Sequence, residues 1–344
     1  MPSFKKHIMI SAAILIGLIA VLVFAWSYFY FQSFEVKNFQ LGVNFSKSYS
    51  EYLGLDWQKT YLAILDDLKV KNVRVSAPWN EIEPASLAGN ARQALGRWNF
   101  TGLDWQVKEA EKRGVNLILI VGRRTPHWPE CHDPAWIKPL APELVADRQM
   151  EMIAAVVDRY KDYSSIKIWQ VENEPLLDVF GKCPPGDIDL LRKEIALVKT
   201  LDSRPVMITD SGEIGDWTAA ANIGDLFGTT LYRVTHNPFL GYFYYHLPPV
   251  FYNLKARLVG QRPSRALISE LQAEPWAPQG ILNTSLENQK ISMDARRLAS
   301  QADYGRRTGF SGAYLWGAEW WYWLKEKQND DTLWKTAKNI FLNS

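Results

Sequence analysis

The amino-acid sequence predicts an α/β protein, a (β/α)₈ barrel preceded by one transmembrane helix. Three observations carry this. From Phe39 onward, short β-rich runs alternate with helix-patterned segments eight times over. One uncharged apolar run, Ile8–Phe31, stands before them and no second one follows. No Gly-rich phosphate loop follows the first β run, which argues against a doubly wound open sheet. The chain of 344 residues suits one barrel of about 250 residues or more plus an extra segment.

Ile8–Phe31 would form a helix about 36 Å long, enough for a bilayer core of about 30 Å. A cleaved signal has a shorter apolar core and small residues before the cut. Here the run closes on Trp26, Tyr28, Phe29, Tyr30 and Phe31, an aromatic belt suited to a membrane interface. Lys5, Lys6 and His7 precede it, and Glu35 and Lys37 follow it. The positive-inside bias therefore makes residues 1–7 a cytoplasmic tail, 8–31 an uncleaved signal-anchor in the cell membrane and 32–38 a tether. Residues 39–344 are expected to be one barrel domain outside the cytoplasm.

The eight β-α pairs follow in order. The first strand is Phe39–Phe45, followed by a helix with Trp57, Tyr61, Ile64, Leu65 and Leu68 on one face. Asn72–Ala77 is the second strand, with a loop and then a helix over Leu103–Arg113 that Gly114 ends. The third is Val115–Val121, with a helical stripe of Met150, Ile153, Ala154 and Val157. Ile166–Glu172 is the fourth, before a helix at Ile188–Leu201. Pro205–Thr209 is the fifth, before a short helix around Asp216–Asn222. The sixth is Thr229–Val234, with a helix at Val250–Val259. Arg265–Ser269 is the seventh, before a long helix Leu286–Arg307. The eighth is Gly312–Trp316, and a helix over Thr332–Phe341 closes the domain.

Composition narrows the function. A net charge of +2 speaks against a nucleic-acid partner. The 15 Trp, 15 Tyr and 15 Phe are unusual, because large flat rings with polar edges suit the faces of sugars as well as a core. Only five His are present, none in a His-x-His pair, so a metal-dependent barrel hydrolase is not expected and no cofactor is implied.

Barrels place chemistry at the C-terminal ends of their strands. The fourth run ends in Val171-Glu172-Asn173-Glu174-Pro175 and the seventh in Ile268-Ser269-Glu270-Leu271. Two carboxyls facing each other across a mouth are what glycosidic cleavage requires, one protonated to donate and one ionised to attack.

Asn173-Glu174-Pro175 resembles the Asn-Glu-Pro motif of glycoside hydrolase clan A, the cellulase-like family 5 and its barrel relatives. The likeness runs from about Phe39 to Phe341. It takes in Arg74-Val75-Ser76-Ala77-Pro78-Trp79, Ile82-Glu83-Pro84, Trp98-Asn99-Phe100, Leu103-Asp104, then Asp225, Gly228 and Tyr232, and Trp316. It implies that Glu174 is the general acid/base and Glu270 the nucleophile. It further implies that Arg74 and Tyr232 hold the nucleophile, and that Trp316 floors the site. Asn173 would bind the sugar 2-OH, and the two carboxyls would stand about 5 Å apart, the retaining geometry. Two positions depart from the pattern. Glu172 stands where an aromatic or apolar residue is usual, and would raise the pKa of Glu174 if it faced the site. Glu274 is a rival nucleophile, less favoured because it lies in the loop beyond the strand.

His127 and Trp128 follow the third strand and are expected to line a subsite; Trp79, Trp276, Trp316 and Trp320 are candidate sugar platforms. Cys131 and Cys183 lie in the loops after the third and fourth strands, side by side in a parallel barrel, and are expected to form a disulfide. The resulting expectation is a membrane-held retaining glycoside hydrolase whose partner is a β-linked poly- or oligosaccharide. A transglycosylase and a barrel that binds glycan without cleaving it are the alternatives.

Overall fold

The computed structural model describes residues 2–34, 36–84 and 98–343. The loop expected between the second strand and its helix falls largely at 85–97, outside the described residues, as do Glu35 and Ser344.

The barrel strands are β1 (Gln40–Asn44), β2 (Asn72–Ser76), β3 (Asn116–Val121), β4 (Ile166–Val171), β5 (Val206–Ser211) and β6 (Leu226–Leu231). A hairpin of β7 (Val234–Asn237) and β8 (Gly241–Tyr244) interrupts the series before β9 (Ala266–Gln272) and β10 (Gly312–Trp316). Eight parallel strands close in the order β1-β10-β9-β6-β5-β4-β3-β2. Runs such as Asn116–Val121, apolar on both faces, belong in a sheet covered on both sides. Their outward residues meet the surrounding helices in the main core. Ile118, Met207, Leu267 and Tyr314 form a separate small core inside the barrel. Tyr314 reaches that space because position 42 is glycine: a Cβ there would lie 2.7 Å from its ring and 2.5 Å from the Asn72 carbonyl.

The helices cap locally. Asp56 accepts from the amides of Gln58 and Lys59 at 3.0 and 3.1 Å, opening Trp57–Asp66. Gly114 follows Thr101–Lys112 with φ 62°, a left-handed position that glycine adopts at no cost. The helical stripe after β3 is Met152, Ile153, Val156 and Val157, with Ala154 only half-buried.

Four elements differ from the sequence reading. The helix expected at Asp216–Asn222 is a series of turns. The Asp210 carboxylate there accepts from the amides of Ser211 (2.7 Å) and Trp217 (3.0 Å), giving the backbone partners that compete with a helix. The helix expected over Leu286–Arg307 is two, Leu286–Ser292 and Ala295–Arg307. Asp294 separates them by taking the Arg297 amide at 2.8 Å and capping the second. β6 lies three residues earlier than expected, and β9 runs on to Gln272, so Glu270 sits within a strand.

Pro2–Phe31 is one helix, and its segment Ile10–Phe29, of mean hydropathy 2.5, is long and apolar enough to cross a membrane. The chain then meets the barrel where the Phe34 amide donates to the Arg307 carbonyl at 3.1 Å. Arg307 ends the helix that leads into β10. The join is therefore on the face where strands begin, opposite the face where they end.

Candidate active site

The site is built around Arg74 on β2, which is 1% exposed. A buried guanidinium needs every donor engaged. Its Nε donates to Gln170 Oε1 (2.7 Å), Nη2 to Asn173 Oδ1 (2.7 Å), and Nη1 to Asn44 Oδ1 (2.7 Å) and Glu270 Oε1 (2.9 Å). The ends of β1, β4 and β9 are thereby tied to one side chain of β2. The other carboxylate oxygen of Glu270 accepts from the Tyr232 hydroxyl at 2.9 Å. Burial, with the Glu270 charge beside it, pushes the Tyr232 hydroxyl well above its ordinary value.

Glu174 is held differently. Its backbone amide donates to Thr209 Oγ1 at 2.8 Å, and φ is 46°. Its carboxyl accepts from the Thr230 hydroxyl at 2.9 Å. Burial, then the charges of Glu270 and Glu130, push its pKa well above the ordinary carboxylate range. Both carboxyls open into one cavity of about 1310 Å³ at the strand C-termini, where Tyr232, His127, Trp276 and Trp316 also line the wall. His127 lies between the rings of Tyr49 and Trp316, with centroids 4.5 and 4.3 Å away. Burial there brings its pKa down to about 3. Cys131 and Cys183 form a disulfide that joins the loops after β3 and β4 beside the site.

No family model matches the chain, and no curated protein matches it. Solved structures do. GH5_18 from Streptomyces cattleya, in complex with GlcNAc, aligns with TM-score 0.54 and 15% identity over 81% of this chain and 70% of that one. Xylanase 10B from Thermotoga petrophila, in complex with xylobiose, aligns with TM-score 0.54 and 14% identity over 89% and 94%. A β-galactosidase from Marinomonas ef1 aligns with TM-score 0.54 and 12% identity; this chain covers 59% of it. The barrel has the fold of the clan A glycosidases.

Within this barrel, three side chains stand elsewhere than the sequence suggested. Trp79, expected as a sugar platform, is fully buried in the core, its Nε1 donating to Glu83 Oε2 at 3.1 Å and its ring edge-on to Trp136. Trp320 is likewise buried, with Nε1 on Gln289 Oε1 at 2.8 Å. Both rings have their polar edge satisfied inside the protein, so neither reaches the cavity. Glu172 does not face Glu174. Its carboxyl turns back to accept from the amides of Arg123 (2.6 Å) and Arg124 (2.5 Å) and from Gln149 Nε2 (2.7 Å), bracing the loop after β3. Burial brings it up to about 7.

Glu130 escaped the sequence reading because it lies in a loop and not at a strand end. It lines the cavity, accepts from Asn173 Nδ2 at 3.3 Å and lies 3.7 Å from Arg124 Nε. Burial and the Glu270 charge bring it up to about 8. Its only signal in the sequence was its neighbour Cys131. Thr230, in register with Glu270 and bonded to Glu174, was missed because β6 begins earlier than its apolar pattern suggests. Glu274 also lines the cavity, accepting from Trp316 Nε1 (2.8 Å) and the Tyr49 hydroxyl (3.1 Å), with its pKa brought up to about 8 by burial.

Proposed function

We propose that this protein is a retaining glycosidase of the clan A type acting on a β-linked glycan, with Glu174 as acid/base and Glu270 as nucleophile. The observation that carries the reading is the unequal environment of the two carboxyls. Glu270 lies against a guanidinium and a phenol, donors that stabilise a carboxylate. Glu174 has one hydroxyl donor and two acidic neighbours, which favour its protonated form.

On this reading Glu270 attacks the anomeric carbon while the Glu174 proton passes to the glycosidic oxygen. The C–O bond breaks and the leaving group departs as an alcohol. Glu174, now a carboxylate, takes a proton from water, whose oxygen attacks the same carbon, breaks the glycosyl ester and frees Glu270. Asn173, fixed between Arg74 and Glu130, would present its amide to the sugar 2-OH. The chain is held in the cell membrane by its apolar helix, with the barrel outside the cytoplasm. The disulfide suits an oxidising compartment. Protease shaving of intact cells should remove the barrel; full protection would overturn this orientation.

Intact mass and peptide mapping after a panel of 2-fluoro glycosides test the mechanism. A stable adduct on Glu270 is expected. An adduct on Glu274 would keep the mechanism and move the nucleophile. No adduct with any sugar, together with a Glu174→Gln variant that binds glycan as the wild type does and differs from it in no turnover assay, would favour a barrel that only binds.

A further inference from the structure

The two sides of the cavity differ in chemistry. On the side of β1 and β10, the flat rings of Tyr49 and Trp316 stand with that of His127, which reaches between them from the loop after β3, and Glu274 holds the polar edges of Tyr49 and Trp316. Rings with anchored polar edges suit a sugar. The loops after β3, β4, β5 and β6, consecutive around the barrel, present another surface. Trp128, Val179, Phe180, Ile214, Leu240 and Phe243 line the cavity there while remaining 44–76% exposed. Past the N-terminal helix there are 14 exposed large apolar side chains among the described residues, and these six with Tyr52 make seven that line this one cavity. Such a concentration marks a binding surface more than chance exposure.

The rim is also held in place. Asn237 Oδ1 accepts from the amides of Phe239 (2.8 Å) and Leu240 (3.2 Å) at the hairpin tip. Gln272 on β9 binds both the amide (2.9 Å) and the carbonyl (2.7 Å) of Val234 at its base. Nor does the rim belong to the membrane anchor, since the chain from the apolar helix joins the opposite face of the barrel.

Chemistry decides which part of a substrate meets this rim. An acid that protonates the leaving oxygen must stand on the leaving-group side. Glu174 follows β4, in the middle of the apolar arc. Val179, Ile214 and Leu240 are aliphatic and offer a sugar neither a flat face nor a hydrogen bond. Among the described residues six glutamates and no lysine or arginine line the cavity, a lining that disfavours a phosphate or carboxylate on the leaving group.

We infer that the substrate is an uncharged glycoside whose leaving group is an alkyl chain, laid along the rim of the β3–β6 loops. This rests on the glycosidase reading above. The test uses the full chain in nanodiscs and the sugar identified by 2-fluoro labelling. It compares kcat/KM for the octyl and methyl glycosides of that sugar, below the micelle concentration. Octyl should be favoured by ~10-fold or more, since each buried methylene adds to the discrimination. Leu240→Asp/Phe243→Asp, or Val179→Asp on another loop, should bring the ratio toward one.

Equal rates for octyl and methyl glycosides in an active enzyme would overturn the alkyl leaving group and leave the glycosidase reading standing. So would faster cleavage of a disaccharide than of the octyl glycoside. An octyl preference that survives in both rim variants would place its origin in the nanodisc lipid and overturn the inference too. No adduct and no turnover with any sugar would instead remove the glycosidase reading, and this one with it.

Discussion

The ends of β4 and β9 each carry two glutamates, and the structure gives them opposite settings. On β9, Glu270 takes a guanidinium and a phenol, and Glu274 takes an indole N–H and another phenol. At β4, Glu172 turns away to bind backbone amides, and Glu174 is left with a threonine hydroxyl. Among these four, and counting the described residues, only Glu270 has a cationic side chain within ion-pair distance. Burial lifts the pKa of each of the other three. A carboxylate at a strand end is thus not defined by its place in the barrel. What is packed against it decides whether it favours attack, donation or structural bracing.

The sharpest way to break this comparison is to remove the paired carboxylate. Glu270→Ala should lower kcat by on the order of 10⁵, as loss of a nucleophile does. Added azide should restore turnover by forming a glycosyl azide of inverted configuration. A variant within tenfold of wild type, measured on the same aryl glycoside, would hand the nucleophile to Glu274.

Glu174→Gln comes next. It should cost about 10²–10⁴ in kcat for a poor leaving group and far less for an activated aryl one, since only the former needs the proton. Because the Glu174 pKa is raised, kcat/KM should fall as pH rises through it. That basic limb should disappear in the Gln variant with the activated substrate. A limb that persists would assign the titration to another group, of which Glu130 and Glu274, each at about 8, are the nearest.

Much of the barrel was legible in the chain. Eight β-rich runs led to eight barrel strands because a buried parallel strand must be apolar on both faces, and the pattern is visible without tertiary information. Where the helix reading failed, a side chain had captured the backbone: Asp210 before the β5–β6 turns, and Asp294 between the two helices ahead of β10. The Cys131–Cys183 bridge could be expected because parallel neighbours put their following loops side by side. The cavity was less legible. Glu174 follows β4 and Glu270 lies near the end of β9, so both could be singled out; Glu130 sits in a loop whose path only the fold defines. Trp79 follows β2 and Trp316 ends β10, yet one faces the core and the other the cavity. A single strand end does not reveal which way its next residue turns.

A third experiment sharpens the contrast in stability. Glu274 has no cationic partner among the described residues, and burial sets its folded pKa at about 8, above the ordinary 4.5. The folded state then binds the proton more tightly than the unfolded chain. This contribution is fully present below about 4.5 and is lost as pH rises through about 8. Glu274→Gln removes that dependence. Relative to wild type, the variant should gain up to about 1.4 kcal/mol per pH unit across this window. Urea unfolding at pH 5 and pH 8 checks it. A constant difference between the two proteins would mean that Glu274 does not bind its proton more tightly in the fold.

The smallest effect on turnover is expected at Trp79. Its ring is enclosed, and its N–H is satisfied by Glu83. Trp79→Phe removes that hydrogen bond and leaves a void, costing about 1–3 kcal/mol of stability. Because the side chain does not reach the cavity, KM should stay within about twofold at temperatures where the variant is folded. Trp316→Phe is the control. Its indole lines the cavity and donates to Glu274, so it should raise KM by about tenfold while costing less stability. If Trp79→Phe raised KM as much as Trp316→Phe, the wall of the site would extend behind β2, and the division between core and cavity aromatics would fail.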